Sequence, residues 1–298
     1  MFAIGFRCGR CGAAYGLEEV RYVCPRDGAE GTLDVVYDEA ALRRALTPEV
    51  LRWHSDRSMW RYGPLLPVRS ETLDRLGDAG LVQTVGWTPL IRAVRTERRL
   101  GLRGVYVKDD GRNPTGSFKD RASALVALKA IEAGAAVVTT ASSGNAAAAL
   151  AGMAAALGLR TVIFVPASAP AAKVAQLLIY GARVYLVEGS YDQAFDLTLA
   201  AAEAFGWYCR NTAYNPFTRE GKKTAAYEIW EQLGGRAPDR VFVAVGDGNI
   251  LTGLWKGFRD LAALGWIERV PALMGVQAAG AAPLARAWAE GHAAVVPV

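Results

Sequence analysis

A lysine comes directly after a turn in Asn113-Pro114-Thr115-Gly116-Ser117-Phe118-Lys119-Asp120-Arg121, and this stretch holds the chain's most distinctive chemistry. Asn-Pro and Thr-Gly mark a loop. Ser117 is placed to cap a helix, and Asp120, three residues on, takes the position of a capping-box acid. Lys119 then falls in the first helical turn, where the dipole is positive and a cation is disfavoured. A lysine held at positive potential gives up its proton more readily, and a neutral amine is the nucleophile that forms a Schiff base. A solvated lysine would share this local sequence, so the reading depends on the other loops.

Three of those loops also lead into helices. Thr140-Ala141-Ser142-Ser143-Gly144-Asn145 follows an apolar strand-like run and supplies two hydroxyls, a glycine and an amide at a helix start, a natural anion pocket. Gly246-Asp247-Gly248-Asn249-Ile250-Leu251-Thr252-Gly253 is a Gly-rich turn suited to a phosphate. It is neither a Walker loop, since no Gly-Lys-Ser/Thr follows, nor the dinucleotide GxGxxG, whose last spacing it misses. The stretch from Asn211 to Thr224 sets amides beside Arg219, Lys222 and Lys223, cations able to hold a second phosphate or carboxylate. Each of these alone also describes an ordinary polar helix start or solvated face.

The elements that must position these loops follow from periodicity. Strand-like runs at 105–108, 136–140, 161–165, 184–187, 207–210, 241–245 and 273–276 alternate with helical patterns at 117–134, 146–157, 171–180, 191–205, 219–233 and 251–264. Several of the helices stop at glycine. This alternation predicts an α/β fold: open, mostly parallel sheets with helices on both faces. Such sheets bind ligands beyond the carboxyl ends of their strands, where these loops fall. Residues 39–82 carry a short helix at 39–45, Trp53, Trp60, Tyr62 and a Pro-rich run. They read as an arm packed on the main body, followed by a tight turn at Trp87-Thr88-Pro89-Leu90.

Residues 1–38 stand apart. Cys8-Gly9-Arg10-Cys11 is a CxxC on a Gly-rich knuckle, the way zinc ribbons build half of a tetrahedral site. The second half reads Cys24-Pro25-Arg26-Asp27 and lacks a fourth cysteine. Cys8, Cys11 and Cys24 are the candidate ligands for a structural zinc, with Asp27 either supplying an oxygen or marking a remnant. The segment reads as a small structural appendage.

Composition narrows the function. The 298 residues are 52% hydrophobic and carry a net charge of +5, enough for a sizeable core with a mild basic excess. The Lys and Arg residues are scattered, which argues against a nucleic-acid footprint. No signal-peptide h-region or membrane-length apolar run is seen, and four cysteines, three of them clustered, do not make a secreted disulfide scaffold. A cytoplasmic protein is expected. Two histidines, His54 and His292, lie outside any motif, which disfavours a catalytic triad or a His-based metal hydrolase. Lysine or carboxylate must move the protons.

The lysine loop, the Ser-Ser-Gly-Asn loop and the later Gly-rich loop, in this order, resemble the fold-type II pyridoxal-phosphate enzymes. The stretch from Asn113 to Arg121 closely resembles the cofactor-lysine motif of the threonine synthases, and the Cys-rich N-terminus fits that subfamily. The resemblance spans roughly residues 84–290. It implies pyridoxal phosphate as cofactor, joined to Lys119, with Phe118 beside it and Asn145 on the ring hydroxyl. It places Gly246, Asp247, Gly248, Asn249 and Ile250 around the cofactor phosphate. Ser142, Ser143 and Gly144 receive the substrate carboxylate, and Asn215 and Arg219, with Lys222, the substrate phosphate. The implied reaction converts O-phospho-L-homoserine and water to L-threonine and phosphate. Asp247 puts a carboxylate in a loop meant for a dianion, so its side chain is expected to turn away and cap the next helix. The implied division is a ribbon at 1–38 and a catalytic core at 39–298, with a smaller subdomain at about 112–206 and a larger one at 39–111 plus 207–298. The chain ends in an apolar run at Val298. Family members continue, so the partner of the pyridine nitrogen is expected outside this chain. A homodimer is the family expectation. The competing readings are a threonine or serine dehydratase or an O-phosphoserine β-replacing synthase on the same scaffold, a non-catalytic binding protein of this fold, and, third, a zinc-ribbon nucleic-acid binder.

Overall fold

The computed structural model describes residues 1–74, 76 and 80–296. At its centre is a parallel four-stranded sheet in the order Tyr208–Cys209, Val137–Ala141, Arg160–Pro166, Arg183–Val187. Its edge strand lies just past the subdomain end expected at about 206. The Arg160–Pro166 strand is buried from Thr161 onward, as a β-branched and aromatic run covered on both faces should be. A second parallel pair joins Arg240–Ala244 to Ala272–Val276. Among the described residues no helix is long and apolar enough to cross a membrane.

Three helices fill the space behind the site: Lys119–Glu132, Phe217–Gln232 and Asn249–Ala263. The first two are buried almost all round, so neither has the single apolar stripe of a surface helix. Glycines set their spacing. A Cβ at Gly221 would collide with the backbone of Arg121, one at Gly253 with the Lys222 side chain, and one at Gly257 with the Lys223 backbone and Ala226. Backbones approach this closely only where no side chain stands between them.

The structure departs from expectation in several places. Tyr106–Lys108 does not join a parallel sheet; it pairs antiparallel with Leu90–Arg92, because the short helix Val94–Leu100 turns the chain back on itself. The lysine helix begins at Lys119 without the expected capping box. Ser117 Oγ accepts from the Lys119 N–H (3.2 Å), but the Asp120 carboxylate turns back to the N–H (2.6 Å) and hydroxyl of Thr115, tying down the loop instead of the helix end. The next helix starts at Phe217, before the expected 219, because Asn215 Oδ1 accepts from the Phe217 N–H and Pro216 fits the entry turn. Of the arm aromatics, Trp60 and Tyr62 are buried while Trp53 is exposed.

Residues 1–37 form a four-stranded antiparallel sheet in the order Ala14–Tyr15, Ala3–Cys8, Gly28–Tyr37, Val23–Cys24. It is not an appendage. Phe6, Leu33 and Val35 share one buried cluster with Leu125, Leu128, Val138 and Leu150 of the main body. The ring of Phe6 meets that of Phe217 at 5.8 Å between centroids.

Candidate active site

Asn113 and Arg121 hold the lysine loop from both sides. Asn113 Nδ2 donates to Asp110 Oδ1 (2.8 Å), and Asn113 Oδ1 accepts from the Gly86 N–H (2.9 Å). The fully buried Arg121 binds the same Asp110 oxygen (2.8 Å) and reaches Glu228 Oε2 (2.8 Å), which also pairs with Lys108 (2.6 Å). Burial opposes ionisation of Glu228, but Arg121 and Lys108 hold its carboxyl down at about 2. This ion network fixes where the helix of Lys119 begins.

Lys119 Nζ has neither a hydrogen-bond partner nor a carboxylate in ion-pair contact among the described residues. Its pKa is lowered, chiefly by burial, with Arg210 adding to the shift and Asp247 opposing it. The neutral amine anticipated from the helix dipole is thus favoured mainly by desolvation.

The loops converge on this lysine. The strands Val137–Ala141 and Tyr208–Cys209 are parallel, so Ser142 and Arg210 leave the sheet at the same end. Asn211 Oδ1 staples them together, accepting from the Ala141 N–H (2.8 Å) and the Thr140 hydroxyl (3.1 Å). Ser142 Oγ accepts from the Gly144 N–H (3.1 Å), and Ser143 and Gly144 are half-buried at the mouth of the loop. Asn145 opens the helix Asn145–Ala156; its carboxamide oxygen accepts from Lys173 Nζ (3.2 Å). Phe118 packs under Arg121, whose guanidinium carbon is 5.6 Å from the ring centroid.

The Gly-rich loop is an open cradle. A Cβ at Gly246 or Gly248 would meet nothing within 4 Å, and Gly248 has a φ of +74°. Asp247 Oδ1 accepts from the Asn249 N–H (3.0 Å) at the start of the following helix, the capping contact anticipated for it. That contact takes up one of the N–H groups assigned to the cofactor phosphate. Ile250 is half-buried in the first turn, and Asn249 Oδ1 accepts from Lys222 Nζ at 2.5 Å.

The residues assigned to the substrate phosphate are arranged differently from the sequence expectation. Asn215 is fully buried and its carboxamide is spent on the backbone, donating to Cys209 O (2.8 Å) and accepting from Phe217 N (3.0 Å). It pins the turn. Arg219 points toward the N-terminal sheet, donating to Leu33 O (3.1 Å). Lys222, the third residue of that set, and Arg210, which was not in it, are the buried cations without an ion-pair carboxylate among the described residues. Arg210 is fully buried with Nη2 unpartnered, and Asn211 Nδ2 beside it is unpartnered too. Lys222 is fully buried, and its ammonium pKa is pushed well down by burial and by Arg210 and Lys119. Arg210 went unassigned in the sequence because it directly follows a two-residue strand and lies just before the stretch that begins at Asn211; its place at a strand's carboxyl end was the available signal.

Unpartnered buried donors beside an amine and an open glycine cradle suit a phosphorylated cofactor that reacts with lysine. The family model for pyridoxal-phosphate dependent enzymes matches residues 81–298. The threonine synthase of Methanocaldococcus jannaschii is 37% identical over 98% of this chain, and that of Methanosarcina acetivorans 38% identical over 98%. This chain spans 69% of the length of each. Maize serine racemase shares the fold at a TM-score of 0.64 and 22% identity, over 78% of this chain and 67% of its own. The processed form of threonine deaminase isoform 2 from Solanum lycopersicum aligns at a TM-score of 0.60 and 26% identity, over 78% of this chain and 64% of its own. With this site and these relatives, the chain belongs to the pyridoxal-phosphate dependent enzymes, on their threonine synthase branch.

Proposed function

We propose that the site converts O-phospho-L-homoserine and water to L-threonine and phosphate, with Arg210 and Lys222 holding the leaving phosphate. One observation carries the choice of a phosphorylated substrate. Of the buried cations, Arg61, Arg121, Lys223 and Lys256 each face a carboxylate, whereas Arg210 and Lys222 face none in ion-pair contact among the described residues. A buried charge without a counter-charge is costly, and an incoming dianion offsets that cost. Arg219 and Asn215 support the same subsite from behind.

Pyridoxal phosphate, when bound, supplies the electron sink that makes protons at the substrate's Cα and Cβ removable. The chain does the rest. Lys119 holds the cofactor and, with its pKa lowered by burial, takes and returns protons through Nζ. The free N–H groups of the Gly246–Ile250 turn receive the cofactor phosphate, and Asn145 its ring hydroxyl. Ser142, Ser143 and the Gly144 helix start orient the substrate carboxylate. Arg210 and Lys222 stabilise charge on the phosphate as it leaves Cγ, and water then adds at Cβ. The division into smaller and larger subdomains, the homodimer and the cytoplasmic location belong to this reading too, and rest on the family.

The test begins with borohydride reduction of the chain loaded with pyridoxal phosphate, followed by peptide mapping; the adduct is expected on Lys119. Turnover is then compared between O-phospho-L-homoserine and L-threonine. Phosphate and threonine from the first support the assignment. 2-Oxobutyrate from the second, without phosphate release from the first, makes the site a dehydratase. Arg210→Met is expected to keep the Lys119 adduct while raising KM for the phosphorylated substrate about 100-fold, in line with loss of a charge-assisted pair worth ~3 kcal/mol.

A further inference from the structure

We infer that the N-terminal sheet holds one zinc ion on Cys8, Cys11, Cys24 and Asp27, with the aspartate as fourth ligand. The four donor atoms lie within 4.8 Å of one another. Cys11 Sγ is 3.7 Å from Cys24 Sγ, and Cys8 Sγ is 3.2 Å from Asp27 Oδ2. A tetrahedron with zinc–sulfur bonds of about 2.3 Å and zinc–oxygen bonds of about 2.0–2.2 Å has edges of roughly this length.

Asp27 is distinguished from a stray acid by the backbone. Cys8 and Cys11 are separated by two residues, as are Cys24 and Asp27. A glycine with positive φ follows each pair: Gly12 at +74° and Gly28 at +57°. Asp27 thus sits where a second knuckle would place its second cysteine. Hydrogen-bonding groups surround two of the sulfurs. The Arg10 N–H points at Cys8 Sγ (3.4 Å), and the Tyr15 hydroxyl lies 3.1 Å from Cys24 Sγ. Such outer contacts orient ligands and stabilise their charge. Cys8 and Cys24 are buried and Cys11 is exposed, so an ion has an entry path. Binding displaces the three thiol protons to solvent and leaves zinc on three thiolates and one carboxylate.

The ion would brace the catalytic face. Tyr22, two residues before Cys24, accepts from the Cys209 N–H (2.9 Å), next to Arg210. The strand leaving the second knuckle carries Asp34 to Lys256 (2.7 Å) and Tyr37 to Glu220 (2.6 Å), on and against the helix of Lys222.

The zinc site stands apart from the choice of substrate, so its test does too. The full chain is purified under reducing conditions with zinc present and its metal content measured; about one zinc per chain is expected. Cobalt substitution should give tetrahedral d–d bands and sulfur-to-metal charge transfer. Asp27→Cys should keep the stoichiometry and raise the charge-transfer intensity in the proportion of four thiolates to three. Asp27→Ala should weaken zinc binding at least about tenfold. A zinc-free folded protein with all three thiols titratable overturns the inference, as does a Cys11–Cys24 disulfide in the freshly reduced and desalted protein. Unchanged zinc affinity in Asp27→Ala removes Asp27 from the ligand set and overturns it equally.

Discussion

Lys222 and Lys223 are neighbours on one helix and both are fully buried, yet their surroundings treat the two charges in opposite ways. Lys223 meets Glu220 at 2.8 Å and Asp260 at 2.9 Å, and Lys256 adds a second cation to Glu220 at 2.6 Å. Burial works against the Glu220 carboxylate, but Lys223 and Lys256 hold it down at about 2. In that cluster each ammonium meets a carboxylate of the chain. Lys222 turns to the other side of the helix, toward Asn249, Arg210 and Lys119; the Asp247 carboxylate partly offsets these cations but makes no ion-pair contact with Lys222 among the described residues. One helix therefore carries a compensated region that maintains the fold and an uncompensated one that awaits a ligand. An ion pair alone does not separate structure from function; the presence or absence of the counter-charge does.

The largest expected effect falls on the compensated side. Glu220→Gln removes the one carboxylate that two buried ammonium groups share, leaving Lys223 with Asp260 alone and Lys256 with Asp34 alone, and should cost ~3 kcal/mol in denaturant unfolding. If it costs no more than a surface substitution, the contrast collapses. Acid should attack the same side. Glu220 and Glu228 have carboxyl pKa values lowered from 4.5 to about 2, so their contribution is present above pH 4.5 and is lost as pH falls toward 2. Each is worth on the order of 3 kcal/mol over that window, readable as a falling unfolding midpoint. Lys222→Met should do the reverse of Glu220→Gln in the ligand-free chain: stability unchanged or raised by ~1–2 kcal/mol, with turnover of the phosphorylated substrate lost. A drop of several kcal/mol would mean that Lys222 is structural after all. Tyr37→Phe, which removes one hydrogen bond to Glu220, should cost ~1 kcal/mol and leave substrate KM alone. Smallest of all, inorganic phosphate at a few times its Kd should stabilise the wild type by ~1 kcal/mol, and Arg210→Met should abolish the effect.

The sequence disclosed the site unevenly, for physical reasons. The alternation of strands and helices and the Lys119 loop were legible because they follow from local periodicity and turn chemistry. The Asp247 cap was legible for the same reason, since its partner is two residues away. Asp120 was misplaced because Thr115 and the helix start compete for one carboxylate, and only the folded loop decides between them. Asn215 and Arg219 looked like phosphate ligands by proximity in sequence. The partners that claim them are Cys209 O and Leu33 O, the latter 186 residues away. Lys222 was legible in the same basic stretch, whereas Arg210 emerges only from what is missing around it, and spacing does not encode a missing partner. The antiparallel pairing of Tyr106–Lys108 was likewise a matter of what a short intervening helix does to chain direction.

The glycines between the three buried helices bear on movement. With no side chain separating Gly221 from Arg121, or Gly253 and Gly257 from the helix of Lys222, the three helices have no slack to slide or tilt. Lys119, Lys222 and Asn249 must travel as one rigid body. The amine and its cationic neighbour therefore keep a fixed separation, and a Cβ at any of the three glycines would have to push the helices apart.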